Sequence, residues 1–283
     1  MSTFLTQAQI QSFDDLVKQA YQKGSLLRTA GALRVKTGVI GASHRFTKVS
    51  KGQATPRTPQ TDVVPMGISY TNATATITNW NAPEYTDVFD QQKVNFDEQT
   101  LLSKIIGWAI GRREDQLVID AMDASTFGTT STNIGGTSTN LNTAKMRDAA
   151  RQLDVYGVPG DSRFFAGHAN SKFGLLGDTT ATSSDFNTIR ALVDGQIMTW
   201  LGFKMIWFET RAEGGLPVSS SVRVCFAFHG GMMGGVGLAV GIDFRTEVNY
   251  VPEKTSWLAN GLFAAGACVI DAEAGVEVSC TEA

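Results

Sequence analysis

The sequence predicts an α+β fold, and three observations carry that prediction. The stretch Asn95–Asp123 is the longest helical pattern in the chain and contains no proline. The 29 glycines, with many threonines and serines, indicate extended, turn-rich segments rather than a bundle of helices. From Ile242 onward the chain reads as strand, proline-marked turn, strand and terminal strand.

Composition bounds the function. At 283 residues the chain can form one large domain or two modest ones. Its 24 Lys and Arg against 27 Asp and Glu give a net charge of −3, without the basic footprint of a sequence-specific nucleic-acid binder. The three cysteines, Cys225, Cys268 and Cys280, are odd in number and lack a CxxC spacing, which disfavours a disulfide framework and a zinc site. A reducing, cytoplasmic place of synthesis is expected. No secretory pattern opens the chain, and no run approaches the ~20 apolar residues of a membrane span, so no membrane partner is expected.

The elements follow in order. Thr6–Tyr21 places Ile10, Phe13, Leu16, Val17 and Ala20 at helical spacing, predicting a short amphipathic helix in an arm that packs on something else. Between His44 and Asp87, RFTKVSKG and MGISYTNATATITNW read as two strands joined by a polar, proline-containing linker. This hairpin has too little apolar surface for a core of its own and needs a partner surface. In the helix that follows, Asn95 and Glu98 fit a capping box. Leu101, Leu102, Ile105, Ile106, Trp108, Ala109 and Ile110 give a broad apolar face, Arg112, Arg113, Glu114 and Asp115 interrupt it, and Leu117, Val118, Ala121 and Met122 resume it. The pattern predicts a spine roughly 40 Å long with buried ends and an exposed middle.

A mobile loop is expected over Ser125–Asn140, then a helix over Leu141–Tyr156 with Met146, Ala149, Ala150 and Leu153 facing inward. Residues 160–243 read as an α/β subdomain: strands at SRFFAGH, GFKMIW and VRVCFAFH, and short helices at HANSKFGLLGD and after Ser183. At the C-terminus, Val269 and Ile270 are expected to pair with Val276 and Val278 around a turn at Glu273–Gly275.

The chain carries little that reads as chemistry. Gly235, Gly237 and Gly241 give a GxGxxxG spacing, but no βαβ context precedes it and no helical stretch follows, so glycine crowding at a turn explains it better than a cofactor site. No phosphate-binding GxxxxGKS or GxxxxGKT loop and no GxSxG elbow occurs. His44, His168 and His229 carry no metal-site spacing. A spatial pairing of Cys225 with His168 stays open, although Cys225 lies in an apolar strand, where an inert thiol is commoner. No catalytic, cofactor-binding or metal residue is assigned. Lys48, Lys51 and Arg57 cluster on the β arm, where they suit acidic groups of a neighbouring subunit as readily as phosphate.

Five stretches together resemble the major capsid proteins of tailed bacteriophages, the Johnson-fold capsid family. They are FDDLVKQAYQKGSLLR, RFTKVSKGQAT, FDEQTLLSKIIGWAIGRREDQLVIDAM, GQIMTWLGFKMIW and NYVPEKTSWLANGLFAAGACVID, in an order spanning nearly the whole chain. The resemblance implies an N-terminal arm over 1–44, an extension loop over 45–87, a peripheral domain over 88–158 and 244–283 with the spine helix, and an axial domain over 159–243. It implies self-assembly as pentamers and hexamers into an icosahedral shell around double-stranded DNA, first in the host cytoplasm and then as the virion capsid. Non-specific DNA contact, a portal, and a separate scaffold or decoration proteins come with it as partners, and no cofactor does. Contacts between subunits are expected at Phe46, Lys48, Lys51 and Arg57 on the arm and at Arg112, Arg113, Glu114 and Asp115 on the spine. Covalent cross-linking, known in some relatives, finds no matching motif. The alternatives are an encapsulin-like nanocompartment shell of the same fold and a nucleotide-binding enzyme using the turn near Gly235.

Overall fold

The computed structural model describes residues 22–91, 93, 98–124, 127, 134, 139–178 and 198–282. The expected helix at Thr6–Tyr21, the capping box at Asn95, the 125–140 loop for the most part, and the helix after Ser183 lie outside the described residues.

The chain first makes a tight turn at 27–31, then β1 (Arg34–Lys36), β2 (Ser43–Val49), β3 (Tyr70–Thr76), β4 (Thr78–Asp87) and the short helix α1 (Val88–Gln91). The spine α2 runs Glu98–Ala124, 27 residues, close to its sequence expectation. Then come α3 (Thr143–Val155), β5 (Arg163–His168), α4 (Ala169–Leu176), β6 (Thr199–Trp200), β7 (Phe203–Phe208), β8 (Val218–Ser219) and β9 (Val222–His229). Two long strands, β10 (Val236–Val251) and β11 (Ser256–Val269), and a last strand, β12 (Gly275–Thr281), complete it.

Two sheets and a separate two-stranded arm organise these elements. The first sheet has the order β1-β10-β11-β4, the second β12-β9-β5-β7-β6 with β8 edging β9, and β2 pairs with β3 alone. β10 and β11 are antiparallel from Val236↔Val269 to Val251↔Ser256, with register shifts between Val240 and Arg245. This long hairpin is the platform on which α2 lies, touching β11 chiefly and β4 and β10 beside it. Gly261 sits directly beneath the helix, where a Cβ would collide with Ile106 and crowd Phe244 and Ile110. Gly261→Val is therefore expected to lower the stability of the unassembled subunit by about 1 to 3 kcal/mol through overpacking, read by thermal unfolding.

The second sheet carries the densest core. All six residues of β5 are buried, and Phe165, Phe203, Phe208, Phe226 and Phe228 are fully enclosed. A strand buried on both faces is a near-continuous apolar run, which is how RFFAGH and VCFAFH read. α3 packs on β12 through Met146, Ala149 and Leu153, the face its periodicity predicted, and its N-terminus is capped by Asn142, whose side chain accepts from the Lys145 amide at 2.9 Å. The buried Lys145 ammonium donates to the carbonyls of Thr139 (2.6 Å) and Ser279 (2.7 Å), tying α3 to β12.

Four expectations are corrected. Val276 and Val278 do not pair with Val269 and Ile270: β12 crosses to the other sheet and pairs with β9, as Val276↔Ala227 and Val278↔Cys225, while Val269 pairs with Val236. Both candidate partners offer apolar runs at the pairing positions, so the sequence pattern could not choose between them. The glycine-rich run after Gly235 is no separate turn element, because Gly237 and Gly241 lie within β10. Residues 78–87 are not part of the arm hairpin but form β4, paired with β11 from Ala265↔Thr78 to Ser256↔Asp87. The middle of the spine is enclosed rather than exposed, with Glu114 and Asp115 only 5% and 1% exposed.

Candidate functional site

The arm has a seated root and an uncovered end. In the β2–β3 ladder Phe46 faces Ala73 and His44 faces Ala75. Phe46 is 3% exposed and packs with Ala75 and Ala239, flanked by Val39, Cys268 and Ile270. Its seat exists because Gly237 on β10 has no side chain: a Cβ there would lie 2.8 Å from the Phe46 ring. The Arg34 guanidinium covers the ring at 5.5 Å, and the His44 ring meets it edge-on at 4.7 Å. Two ion pairs brace the arm against the turn before β12, Lys48 to Asp271 (2.6 Å) and Lys51 to Glu273 (2.8 Å), and Lys51 also donates to the Tyr156 carbonyl at 3.2 Å.

These contacts differ in weight. Burying a phenylalanine contributes about 2 to 3 kcal/mol, whereas partly exposed ion pairs contribute about 0 to 1 kcal/mol each. Phe46→Ala is expected to release the arm root, raising hydrogen exchange at 43–49 and 70–76 by about a hundredfold, while Lys48→Ala changes it by less than about fivefold.

Beyond the bond from the Ser50 amide to the Ser69 carbonyl (2.9 Å), the arm is exposed throughout residues 51–69. Val63 is 78% exposed, Val64 67% and Met66 52%, and Tyr70 at the edge of β3 is 69% exposed. Pro56, Pro59 and Pro65 withhold backbone donors from any sheet, and a turn closes on the Thr58 carbonyl with Gln60 at φ +64°. Among the described residues these apolar side chains find no cover in their own subunit.

The spine middle is the second cluster. Asp115 accepts from the amides of Leu26 (2.8 Å) and Leu27 (3.1 Å) and from the Ser25 hydroxyl (3.2 Å), capping the turn that follows. The close approach needs Gly111, where a Cβ would stand 2.5 Å from the Ser25 nitrogen. Arg28 makes a two-pronged pair with Asp243 at 2.9 Å and reaches Glu114 at 3.5 Å. Asp243 lies in the irregular stretch of β10, whose register shift turns it toward Arg28. Burial pushes the Glu114 carboxyl up to about 7 and that of Asp115 up to about 6, against the lowering from Arg28 and from the Leu26 and Leu27 amides respectively. The Arg28 hydrogen bond holds Asp243 below its ordinary range. Arg112 donates to Gln22 at 2.7 Å, Arg113 pairs with Glu213 and lies 4.2 Å over the Trp80 ring, and Arg211 approaches Asp115 at 3.5 Å.

Seven of the eight residues expected at subunit boundaries are thus engaged within their own chain. Phe46, Glu114 and Asp115 are buried in it; Lys48, Lys51, Arg112 and Arg113 hold partners in it; Arg57 is exposed on the arm end. The charged interruption of the spine fastens residues 22–33 and 209–214 to the helix. Sequence reading missed Val63, Val64, Met66 and Ile68 as an exposed set, although apolar residues between prolines with no strand partner were the available signal.

His168 and Cys225 do not form a nucleophile and base. The His168 ring meets Glu282 at 2.9 Å, the Thr210 hydroxyl at 3.1 Å and the Asn170 amide at 3.2 Å. Cys225 is fully buried, 3.6 Å from the Ser171 hydroxyl. Gly235 precedes a strand and no helix begins there, so the structure offers no phosphate-binding turn at that place.

A family model described as phage capsid protein matches residues 5–282. The chain belongs to the phage capsid protein family. A comparison with curated proteins returned no match. Among solved structures, this capsid protein is similar to the capsid of Cyanophage P-SCSP1u (17% identity, TM-score 0.76, covering 100% of this chain and 96% of that one). It is likewise similar to the acidic stable capsid of Helicobacter pylori bacteriophage KHP30 (10%, 0.76, 100% and 98%) and to Mycobacterium phage Che8 (15%, 0.69, 95% and 96%). At these identities the structures establish a shared fold, and the family assignment makes the protein a structural component of the virion shell that associates with itself. The nanocompartment alternative is not favoured, since the family model and these neighbours are phage capsids. Among the described residues no helix is long and apolar enough to cross a membrane.

Proposed function

We propose that this capsid protein builds an icosahedral shell from pentamers and hexamers around double-stranded DNA, with residues 51–69 lying on an adjacent subunit. The observation that carries this reading is the exposed set Val63, Val64, Met66, Ile68 and Tyr70 on an arm whose root is fixed to its own subunit. A rigid root aims the arm, and an apolar end that the subunit leaves uncovered gains by burial against a copy. Arg57, exposed at the same end, supplies a charged contact there.

In this reading residues 1–44 form the N-terminal arm, the hairpin within 45–87 the extension loop, the long sheet with α2 the peripheral domain, and the β5-centred sheet the axial domain. β12 joins the axial sheet, although the segments before it belong with the spine. A portal, scaffold or decoration proteins and non-specific DNA contact complete the assembly. Electron microscopy of the purified protein is expected to find closed shells or sheets of five-fold and six-fold rings. Monomers or small closed rings under every assembly condition would overturn the reading.

A further inference from the structure

We propose that Glu114 makes the seat of residues 22–33 on α2 a proton-dependent latch, held more firmly in mild acid and loosened as the pH rises past neutrality. The geometry leaves this carboxylate undercompensated. Among the described residues its Oε1 is buried without a hydrogen bond and its Oε2 meets only Arg28, at 3.5 Å, while both terminal nitrogens of that guanidinium bind Asp243 at 2.9 Å. Asp115, the next residue on the helix, adds a second negative charge in the same enclosure.

The surrounding charges come from every element packed here. The seated segment brings Arg28 and Lys23, β10 brings Asp243, the stretch after β7 brings Glu209, Arg211 and Glu213, and α2 itself brings Arg112, Arg113 and Asp115. None of the cations is given over to Glu114: Lys23 faces Glu209, Arg113 faces Glu213, Arg112 faces Gln22 and Arg211 faces Asp115 and Glu209. A buried acid with so small a share of positive charge favours its neutral form, consistent with its rise to about 7, for which burial is the largest cause.

Seating the segment desolvates Glu114, and unseating it returns the carboxyl to water and its ordinary range. The seated state therefore binds the proton more tightly. Its advantage is complete below the ordinary range of a glutamate and is lost as pH rises through about 7. Asp115, raised to about 6, acts in the same direction at lower pH.

Hydrogen exchange of the unassembled full-length subunit, corrected for the chemical exchange rate, tests this at amides 24–32 between pH 5 and pH 8. The opening equilibrium is expected to rise by about tenfold to a hundredfold over that range while amides of Phe226–Phe228 stay constant. Glu114→Gln, which cannot ionise, should remove the rise above about pH 7 and leave only the smaller, lower-pH contribution of Asp115. Asp243→Asn, which frees Arg28 to serve Glu114, should move the rise to lower pH. A flat wild-type profile, a parallel loosening of Phe226–Phe228, or a rise between pH 7 and pH 8 that persists undiminished in Glu114→Gln would overturn the proposal.

Discussion

Excising Gln53–Pro65 is expected to leave a folded subunit that no longer closes into shells. The cut is sterically mild, because Gly52 and Met66 already touch across the base of the excised loop. It also spares the root, since Phe46, Lys48 and Lys51 keep their partners in the body. The excised residues contribute no buried side chain to their own subunit, so circular dichroism and thermal unfolding should match the full chain. Val63 and Val64 go with the loop, and burying two valines contributes about 3 kcal/mol, equal to roughly a hundredfold in an association constant at every arm contact. A shell multiplies that loss over all its subunits, so particle yield by sedimentation or electron microscopy should fall to near zero. Shells in normal yield would sink the assignment of the arm, and loss of the folded signal would show that the loop serves its own subunit.

Much of this architecture was legible because it rests on local patterns. The spine, the inward face of α3 and the strands at 163–168, 203–208 and 222–229 each follow from periodicity or apolar runs that a single element decides. The pairing of 43–49 with 70–76 followed from two extended runs around a proline-rich linker. Partner choice was harder to read. Val278 fits next to Val269 as well as next to Cys225, and only the global packing sends β12 to β9. The spine interruption failed for a related reason. Charged residues default to a solvated surface, and Arg112 to Asp115 escape that default through partners 70 or more residues away: Gln22, Ser25, Arg28, Arg211 and Glu213. No window along the helix contains those partners. The exposed end of the arm was half-read: its need for a partner surface was visible, but Val63 and Val64 were assigned to the polar linker, and Met66 and Ile68 to a strand that begins later, at Tyr70.

Asp115→Ala is expected to be the most damaging single substitution in the body of the subunit. Its carboxylate satisfies two backbone amides and the Ser25 hydroxyl at 2.8 to 3.2 Å, and it is one of two counter-charges 3.5 Å from Arg211, whose own side chain is 6% exposed. Truncation leaves the Leu26 and Leu27 amides without their acceptor and removes one of the two carboxylates that face the arginine, leaving Glu209 at 3.5 Å. Removing one member of a buried charged cluster costs about 3 kcal/mol or more even after the relief of the carboxylate's own burial, which is the cause of its raised proton affinity. For a chain of this length that lowers the midpoint of unfolding by roughly 6 to 12 °C. Replacing the exposed Lys104 on the same helix should shift it by less than about 2 °C. The loss should also be local in order: exchange at 24–32 should rise at every pH, because the cap is gone whether or not Glu114 carries its proton. Asp115→Ala with an unchanged midpoint and unchanged protection at 24–32 would mean that Leu27 and Leu33, buried in the core, hold the segment by themselves and that the charged cluster merely fills the space above it.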